Sequence, residues 1–227
     1  MSVEVVDLEK AYSIGVRKIV ALDCVSLSIE RSDFVVITGP SGSGKTTLLN
    51  IIGCIDRPDS GTVLVDGVDI TRASNEELVK LRLTKVGHIF QSFNLLPALT
   101  ALENVELPMV LAKKPRVDRR KRALKLLRAV GLGDRADHRP SELSLGEQQR
   151  VAIARALAND PPIVLADEPA SNLDPGTARE IMSLLKKLNE ELGKTLVVAT
   201  HDPLIASTAK RVVWLVGGRI VGDRRLR

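Results

Sequence analysis

"FVVITGPSGSGKTTLLNIIG" (residues 34–53) decides the fold. Residues 34–38 form a short unbroken apolar run, the pattern of a strand buried on both faces. Residues 48–52 then resume an apolar pattern that predicts a helix. Between them, Gly39, Pro40, Ser41, Gly42, Ser43, Gly44, Lys45 and Thr46 fit the phosphate-loop pattern G-x-x-x-x-G-K-[ST] in full, and Thr47 follows. The chemistry explains the spacing. Glycines let backbone N–H groups close around phosphate oxygens, and the helix N-terminus adds positive potential. Lys45 neutralises outer phosphates, and the Thr46 hydroxyl is a ligand for Mg²⁺.

Working outward, "PIVLADE" (162–168) and "TLVVATH" (195–201) are two further buried-strand patterns. The first ends on Asp167-Glu168. Such a pair alone could equally cap a helix. Beside a phosphate loop, Asp167 belongs at the metal, and Glu168 is placed to act on an attacking water as general base. His201 ends the other run. In open parallel sheets ligands bind at the carboxyl ends of strands, so His201 joins the same site if these strands are neighbours. Gln91 follows the short apolar "HIF" (88–90) and is unremarkable by itself. His88 and His138 lack a comparable context.

The flanks complete the fold class. "SVEVVDLEKAY" (2–12) and "ALDCVSLSIE" (21–30) alternate apolar and polar residues, as half-buried antiparallel strands do. Asp66-Gly67 and Gly217-Gly218 mark hairpins. The middle is helical and more polar. Ser74 with Glu77, and Thr100 with Glu103, have capping-box spacing. Ala123, Leu127 and Val130 share one face of a helix that Gly131 ends. Asp174-Pro175 starts a helix with Ile181, Leu184, Leu185, Leu188 and Leu192 at helical spacing. The expected architecture is α/β: a phosphate-loop core with a mainly parallel sheet, an N-terminal antiparallel β subdomain and an inserted helical subdomain. Residues 1–227 form one domain, with the core at 1–91 and 160–227 and the insertion at 92–159.

Composition bounds the partners. The 227 residues are 44% hydrophobic and 27% charged, enough for a sizeable core. Aromatics are only 2%, which argues against a stacking platform for single-stranded nucleic acid. The net charge of +5 suits an anionic partner without choosing one. The densest basic run, Lys113 to Arg128, reads as a solvated helix face or as a surface near a membrane or acidic partner. Cys24 and Cys54 sit among apolar neighbours and form no disulfide framework, which fits a reducing compartment. No apolar run reaches the roughly 20 residues of a spanning helix. A soluble chain is expected, reaching a membrane only through a partner.

The ordered set "GPSGSGKTT" (39–47), Gln91, "LSLGEQQR" (143–150), "VLADEP" (164–169), "SNLD" (171–174) and His201 resembles the ATP-binding cassette ATPases over essentially the whole chain. The resemblance implies ATP and Mg²⁺ as ligands. It implies a dimer of identical or pseudo-symmetric cassettes, with each nucleotide between the phosphate loop of one chain and the signature helix of the other. Transmembrane permease subunits would be the further partners, with the cassette peripheral on the cytoplasmic face. Tyr12 would stack on adenine, Gln91 would touch Mg²⁺ or the water and report to the membrane partner, and His201 would contact the γ-phosphate. Asp174 would line the dimer interface, and Ser144, Gly146 and Glu147 would complete the partner's pocket. "LLNIIGCIDRPDSG" (48–61), "FQSFNLLPALTALENVELPM" (90–109) and "GLGDRADHRPSELS" (131–144) are similar to the lipoprotein-release, macrolide-exporter and FtsE-type branch. That branch implies export or extraction, or a mechanical role on a partner that transports nothing. Soluble cassette ATPases of nucleic-acid repair or translation usually carry tandem cassettes or a long coiled-coil insertion, and neither is present.

Two positions depart. The family signature begins Leu-Ser-Gly-Gly-Gln, and here Leu145 and Glu147 replace the first glycine and the glutamine. Ser144-x-x-Glu147 is itself a capping box. With Ser144 as N-cap, Leu145 takes helical backbone angles without strain. Three readings stand: Leu145 points away from the nucleotide and the site closes, this is a degenerate half-site of an asymmetric pair, or the leucine is an engineered change.

Overall fold

The structure, a computed structural model, describes residues 1–15 and 17–226. In chain order the elements are β1 (Val3–Ile14), β2 (Arg17–Ile29), β3 (Phe34–Thr38), α1 (Lys45–Ile52), β4 (Ser60–Val65), β5 (Val68–Asp69), α2 (Asn75–Thr84), β6 (Val86–Ile89), α3 (Ala101–Leu111), α4 (Arg116–Ala129), α5 (Leu145–Ala156), β7 (Ile163–Asp167), α6 (Pro175–Glu190), β8 (Thr195–Thr200), α7 (Pro203–Ala206), β9 (Arg211–Val216) and β10 (Arg219–Arg225).

Two sheets result. One is antiparallel, ordered β2-β1-β4-β5; the other is ordered β10-β9-β3-β8-β7-β6. In the second, β9-β3-β8-β7-β6 run parallel, and only the β9–β10 hairpin is antiparallel. The continuous apolar runs sit where such runs belong, in strands covered on both sides. Alternate residues of each strand feed different cores, as a period of 2 requires. Val36, Val164, Ala166, Leu196 and Val198 join the side of α3, α4, α5 and α6. Val35, Ile37, Leu165, Val197 and Ala199 join α1 and the antiparallel sheet. No helix among the described residues is long and apolar enough to cross a membrane.

Local caps explain the helix boundaries. Ser74, Thr100 and Ser144 each form a complete capping box with the glutamate three residues on, Glu77, Glu103 and Glu147. Asp174 accepts hydrogen bonds from the Gly176 and Thr177 amides and starts α6. Two expectations need correction. Leu192 lies beyond the end of α6 and is exposed, because the chain turns at Gly193 (φ +62) toward β8. Cys24 is exposed, its Sγ facing the Glu9 carboxylate, because a positive φ of 49° at Cys24 interrupts the alternation of β2.

Candidate functional site

Strand order assembles the site. β3, β8, β7 and β6 are consecutive neighbours, so their carboxyl ends share one edge of the sheet. Thr38 pairs with Thr200, Asp167 with Ala199, and Ile89 with Ala166. The phosphate-loop pattern, Asp167-Glu168, His201 and Gln91 are the residues that emerge there. A cavity of about 690 Å³ opens at this edge, within the usual range for small-molecule sites. Residues 40–47, Tyr12, Gln91, Glu168 and His201 line it, with Ile19 and Val20 as an apolar wall.

The 39–46 loop is wrapped around the α1 N-terminus. Gly44 has φ +101°, and a Cβ there would lie 2.3 Å from the Ala21 carbonyl oxygen, so no side chain fits. Lys45 is buried and donates hydrogen bonds to the Gly39 and Pro40 carbonyls at 2.8 and 2.9 Å. These are neutral partners for a full ammonium charge. A phosphate oxygen would be a stronger one.

Asp167 sits deeper. Burial pushes its carboxyl above the usual range, and Glu168 adds to this, while Thr46 and Lys45 pull it back. Its Oδ1 is buried and lacks a hydrogen-bond partner among the described residues, as does the Ser43 hydroxyl. Unsatisfied buried oxygens beside a cavity mark a place for a donor or a cation. Glu168 is fully engaged. Its Oε1 accepts from the His201 amide at 3.0 Å and lies 2.7 Å from His201 Nδ1; its Oε2 accepts from the Thr200 hydroxyl at 3.0 Å. Its backbone has φ +44°, which for a non-glycine residue costs of order 1–3 kcal/mol and turns the carboxylate back toward β8.

Tyr12 stands at the outer rim. Its hydroxyl donates to Asp56 at 2.7 Å, and Lys10 Nζ lies 5.2 Å from the ring centroid. Burial and the Asp56 hydrogen bond both raise its phenol pKa. Lys10 in turn bridges Asp56 and Asp59 at 3.0 and 3.5 Å. The ring is thus held at its hydroxyl by Asp56, with Lys10 over one face, and it lines the cavity.

Ser144, Gly146, Glu147 and Asp174 do not line this cavity. They gather instead at the adjoining N-termini of α5 and α6. Ser144 Oγ accepts from the Glu147 amide at 3.3 Å, and Glu147 Oε2 accepts from the Ser144 amide at 2.8 Å, which lowers the Glu147 pKa. The Ser144 hydroxyl keeps its proton for another acceptor. Leu145 is at the first helical position and is half exposed. Gly146 faces α6, where a Cβ would lie 2.6 Å from Thr177 Cγ2.

Sequence reading missed several supports. Thr200 anchors Glu168 across 32 residues, and Asn172 donates to the Gln91 carbonyl at 3.3 Å. Arg155 from α5 donates to the Phe93 and Asn94 carbonyls, holding the segment after Gln91. Gln149 donates to the Pro169 carbonyl at 2.7 Å. Such links pair a side chain with a distant backbone group, and no local pattern announces them.

Comparison with known proteins agrees with this geometry. Residues 22–171 match the ABC transporter family. An uncharacterised ABC transporter ATP-binding protein of Thermotoga maritima is 53% identical, covering 98% of this chain and 94% of its own. The uncharacterised ABC transporter ATP-binding protein MJ0796 of Methanocaldococcus jannaschii is 51% identical, covering 97% and 96%. A macrolide export ATP-binding/permease protein MacB of Burkholderia pseudomallei is 49% identical over 95% of this chain, which spans 33% of that protein. Among solved structures, the dimeric post-hydrolysis MJ0796 cassette bound to ADP and Pi superposes with a TM-score of 0.93 at 50% identity, covering 99% of each chain. A phosphate loop, an acidic pair and a histidine on one sheet edge, in a chain this similar over nearly all its length, place it in the ABC transporter family as an ATP-binding cassette.

Proposed function

We propose that this chain is an ATP-hydrolysing subunit that dimerises around two ATP molecules and drives a membrane permease. The observation that carries the reading is the single cavity shared by the 40–47 loop, Tyr12, Gln91, Glu168 and His201. Tyr12 offers its face to the adenine. The loop amides and Lys45 take the phosphates, Lys45 exchanging two carbonyls for phosphate oxygens. Glu168 polarises the attacking water, and His201 contacts the γ-phosphate while holding Glu168 in place.

The oxygen set fits Mg²⁺, a hard cation that favours oxygen ligands. Asp167 Oδ1 and Ser43 Oγ are buried without partners among the described residues, and Thr46 adds a hydroxyl. We assign Thr46, Gln91 and Asp167 to hold the ion directly or through water. When bound, it would neutralise charge on the phosphate oxygens. Positioning and electrostatics then supply most of the catalysis.

A single chain is incomplete. Ser144, Gly146, Glu147 and Asp174 do not line its own cavity, and a second copy would offer them. The dimeric MJ0796 structures support that arrangement. The MacB relative is both an ATP-binding protein and a permease, which supports an export-type membrane partner. A groove of about 500 Å³, lined by Ile55, Val79, Leu83, Phe90, Leu107 and Leu111, is the proposed permease seat. Phe90 in its wall is next to Gln91, so the seat adjoins the cavity. Residues 92–159 would move as a unit on this connection.

The test is Glu168→Gln. The variant should bind ATP, accumulate as an ATP-bound dimer in light scattering, and release phosphate at a small fraction of the wild-type rate. Hydrolysis at the wild-type rate would remove Glu168 from the mechanism.

A further inference from the structure

Charge is distributed very unevenly over this chain. Residues 110–128 carry nine Lys and Arg against one Asp, a net of +8, so the remaining residues together carry −3. This span holds the corner where α3 turns into α4. Lys113, Arg116, Arg120, Lys121, Lys125 and Arg128 are exposed, and none forms an ion pair among the described residues. Arg122 is the exception, tied to Asp160 and to the Leu157 and Ala158 carbonyls. Asp160 is the one carboxylate that ion-pairs with this span among the described residues, and Glu103 lies near enough to Arg120 for its pKa to be lowered by that charge.

The corner also exposes apolar side chains. Val117, in the first turn of α4, is 78% exposed, Leu111 at the end of α3 is 61% exposed, and Val110 is 44% exposed. Their placement is fixed. Lys113 takes φ +56° and Lys114 donates its amide to the Met109 carbonyl, which folds α3 back into α4. Val117 could have pointed inward, where Ala123 and Leu127 of α4 are fully buried, but it does not. Single exposed apolar residues need no explanation. Three at one tip, ringed by unpaired cations, match the chemistry of a surface that is anionic outside and apolar just beneath.

We propose that the α3–α4 corner binds an anionic phospholipid surface. Lysines and arginines engage headgroup phosphates, while Leu111 and Val117 enter the boundary below them. Nucleic acid would satisfy the cations equally well. It offers nothing to Leu111 and Val117, and the corner has no aromatic ring on which bases could stack. Leu111 also lines the edge of the groove assigned above to the permease, so the corner adjoins that seat. The lipid proposal stands on charge and exposure alone and does not depend on ATP hydrolysis.

The test uses the full chain and sedimentation with vesicles. One set is phosphatidylcholine; the other mixes phosphatidylcholine and phosphatidylglycerol in equal parts. The chain should bind only the anionic set, and binding should weaken with salt as the charges are screened. Arg116→Ala/Arg120→Ala/Lys121→Ala should lower partitioning roughly a hundredfold, given the contribution of each cation near a charged bilayer. Val110→Ser/Val117→Ser should lower it roughly tenfold, an effect that salt does not remove. Unchanged melting temperatures and ATPase rates would show that both variants fold. Equal binding to both vesicle sets, no binding to either, or insensitivity to the triple substitution would overturn the proposal. So would tighter binding to single-stranded RNA than to anionic vesicles with no effect of the serine pair.

Discussion

Replacing Gly146 by alanine separates two reasons for a glycine at that position. In a helix interior the change should stabilise by about 0.8–1 kcal/mol through backbone entropy. The geometry opposes this. The new Cβ would lie 2.6 Å from Thr177 Cγ2, closer than real Cβ atoms come to a neighbour. Thr177 is β-branched and in the first turn of α6, where its amide is bonded to Asp174, so it yields little. Overpacking of this kind costs about 1–3 kcal/mol. The net expectation for Gly146→Ala is a loss of about 1 kcal/mol, or about 2–4 °C in melting temperature for a chain this size. Thr177→Ser removes the offending methyl and keeps the hydroxyl. In that background the same alanine should stabilise by about 1 kcal/mol, giving a coupling of about 2 kcal/mol across the double-mutant cycle. Nucleotide-free unfolding by calorimetry or urea is the assay. Equal shifts in both backgrounds would refute the packing argument and leave access to a nucleotide as the sole reason for the glycine.

Leu145→Gly should change ATP turnover of the dimer by only a few fold, because Leu145 is half exposed at the first helical position, where a leucine is unstrained. A gain of tenfold or more, about 1.4 kcal/mol of barrier, would instead identify the leucine as an obstruction. His88 should make stability pH-dependent. Burial, with Arg82 and Arg155 adding, pushes its ring pKa down to about 4, and its Nε2 has no partner among the described residues. The folded state resists protonation, while the unfolded chain takes a proton near pH 6.5. Stability is therefore fully present above about pH 6.5 and falls by up to about 1.4 kcal/mol per pH unit as the pH drops toward 4. His88→Phe should flatten this slope in urea unfolding at pH 7 and pH 5. An identical slope in both proteins would assign the acid sensitivity elsewhere.

Local features of this chain were legible and long-range ones were not, for a physical reason. The buried strand, glycine loop and helix of 34–53 are determined by neighbours in sequence, as are the capping boxes at Ser74, Thr100 and Ser144. A side chain three residues from an amide finds it whatever the rest of the chain does. The strand order β3-β8-β7-β6 was only a condition for uniting the motifs, since pairing Thr38 with Thr200 depends on the whole sheet. Thr200 as the anchor of Glu168 followed from that order and was invisible before it. Gly193 marks the end of the helix in the sequence, but periodicity carries the pattern to Leu192, two residues beyond Glu190 where α6 stops. Gly146 looked like a residue that bares its backbone to a ligand. That it also faces Thr177 could emerge only once α5 and α6 lay together.

The connections around Pro169 give the two half-sites of one chain a common mechanical link. Glu168, the proposed base, is held on one side by Thr200 and His201. The next residue, Pro169, is held from the other side by Gln149, which is fully buried in α5. The same helix begins at Ser144 and abuts α6 at Gly146, so it carries the groups proposed to complete the second chain's pocket. Asn172, between Glu168 and the Asp174 cap, reaches back to the Gln91 carbonyl. Movement of α5 against the sheet would therefore pull on the residue after the base. Displacement of the Gln91 segment would pull on the stretch leading to α6. Neither Gln149 nor Asn172 lines the cavity. Each link consists of one side-chain amide bonded to a backbone carbonyl, contributing about 1 kcal/mol. That is large enough to bias the position of Glu168 and small enough to be overcome when a second chain closes on the site. Coupling between the pockets of a dimer would then need no separate device. It would follow from building the support of the proposed base and the proposed contact to the partner's pocket on one helix.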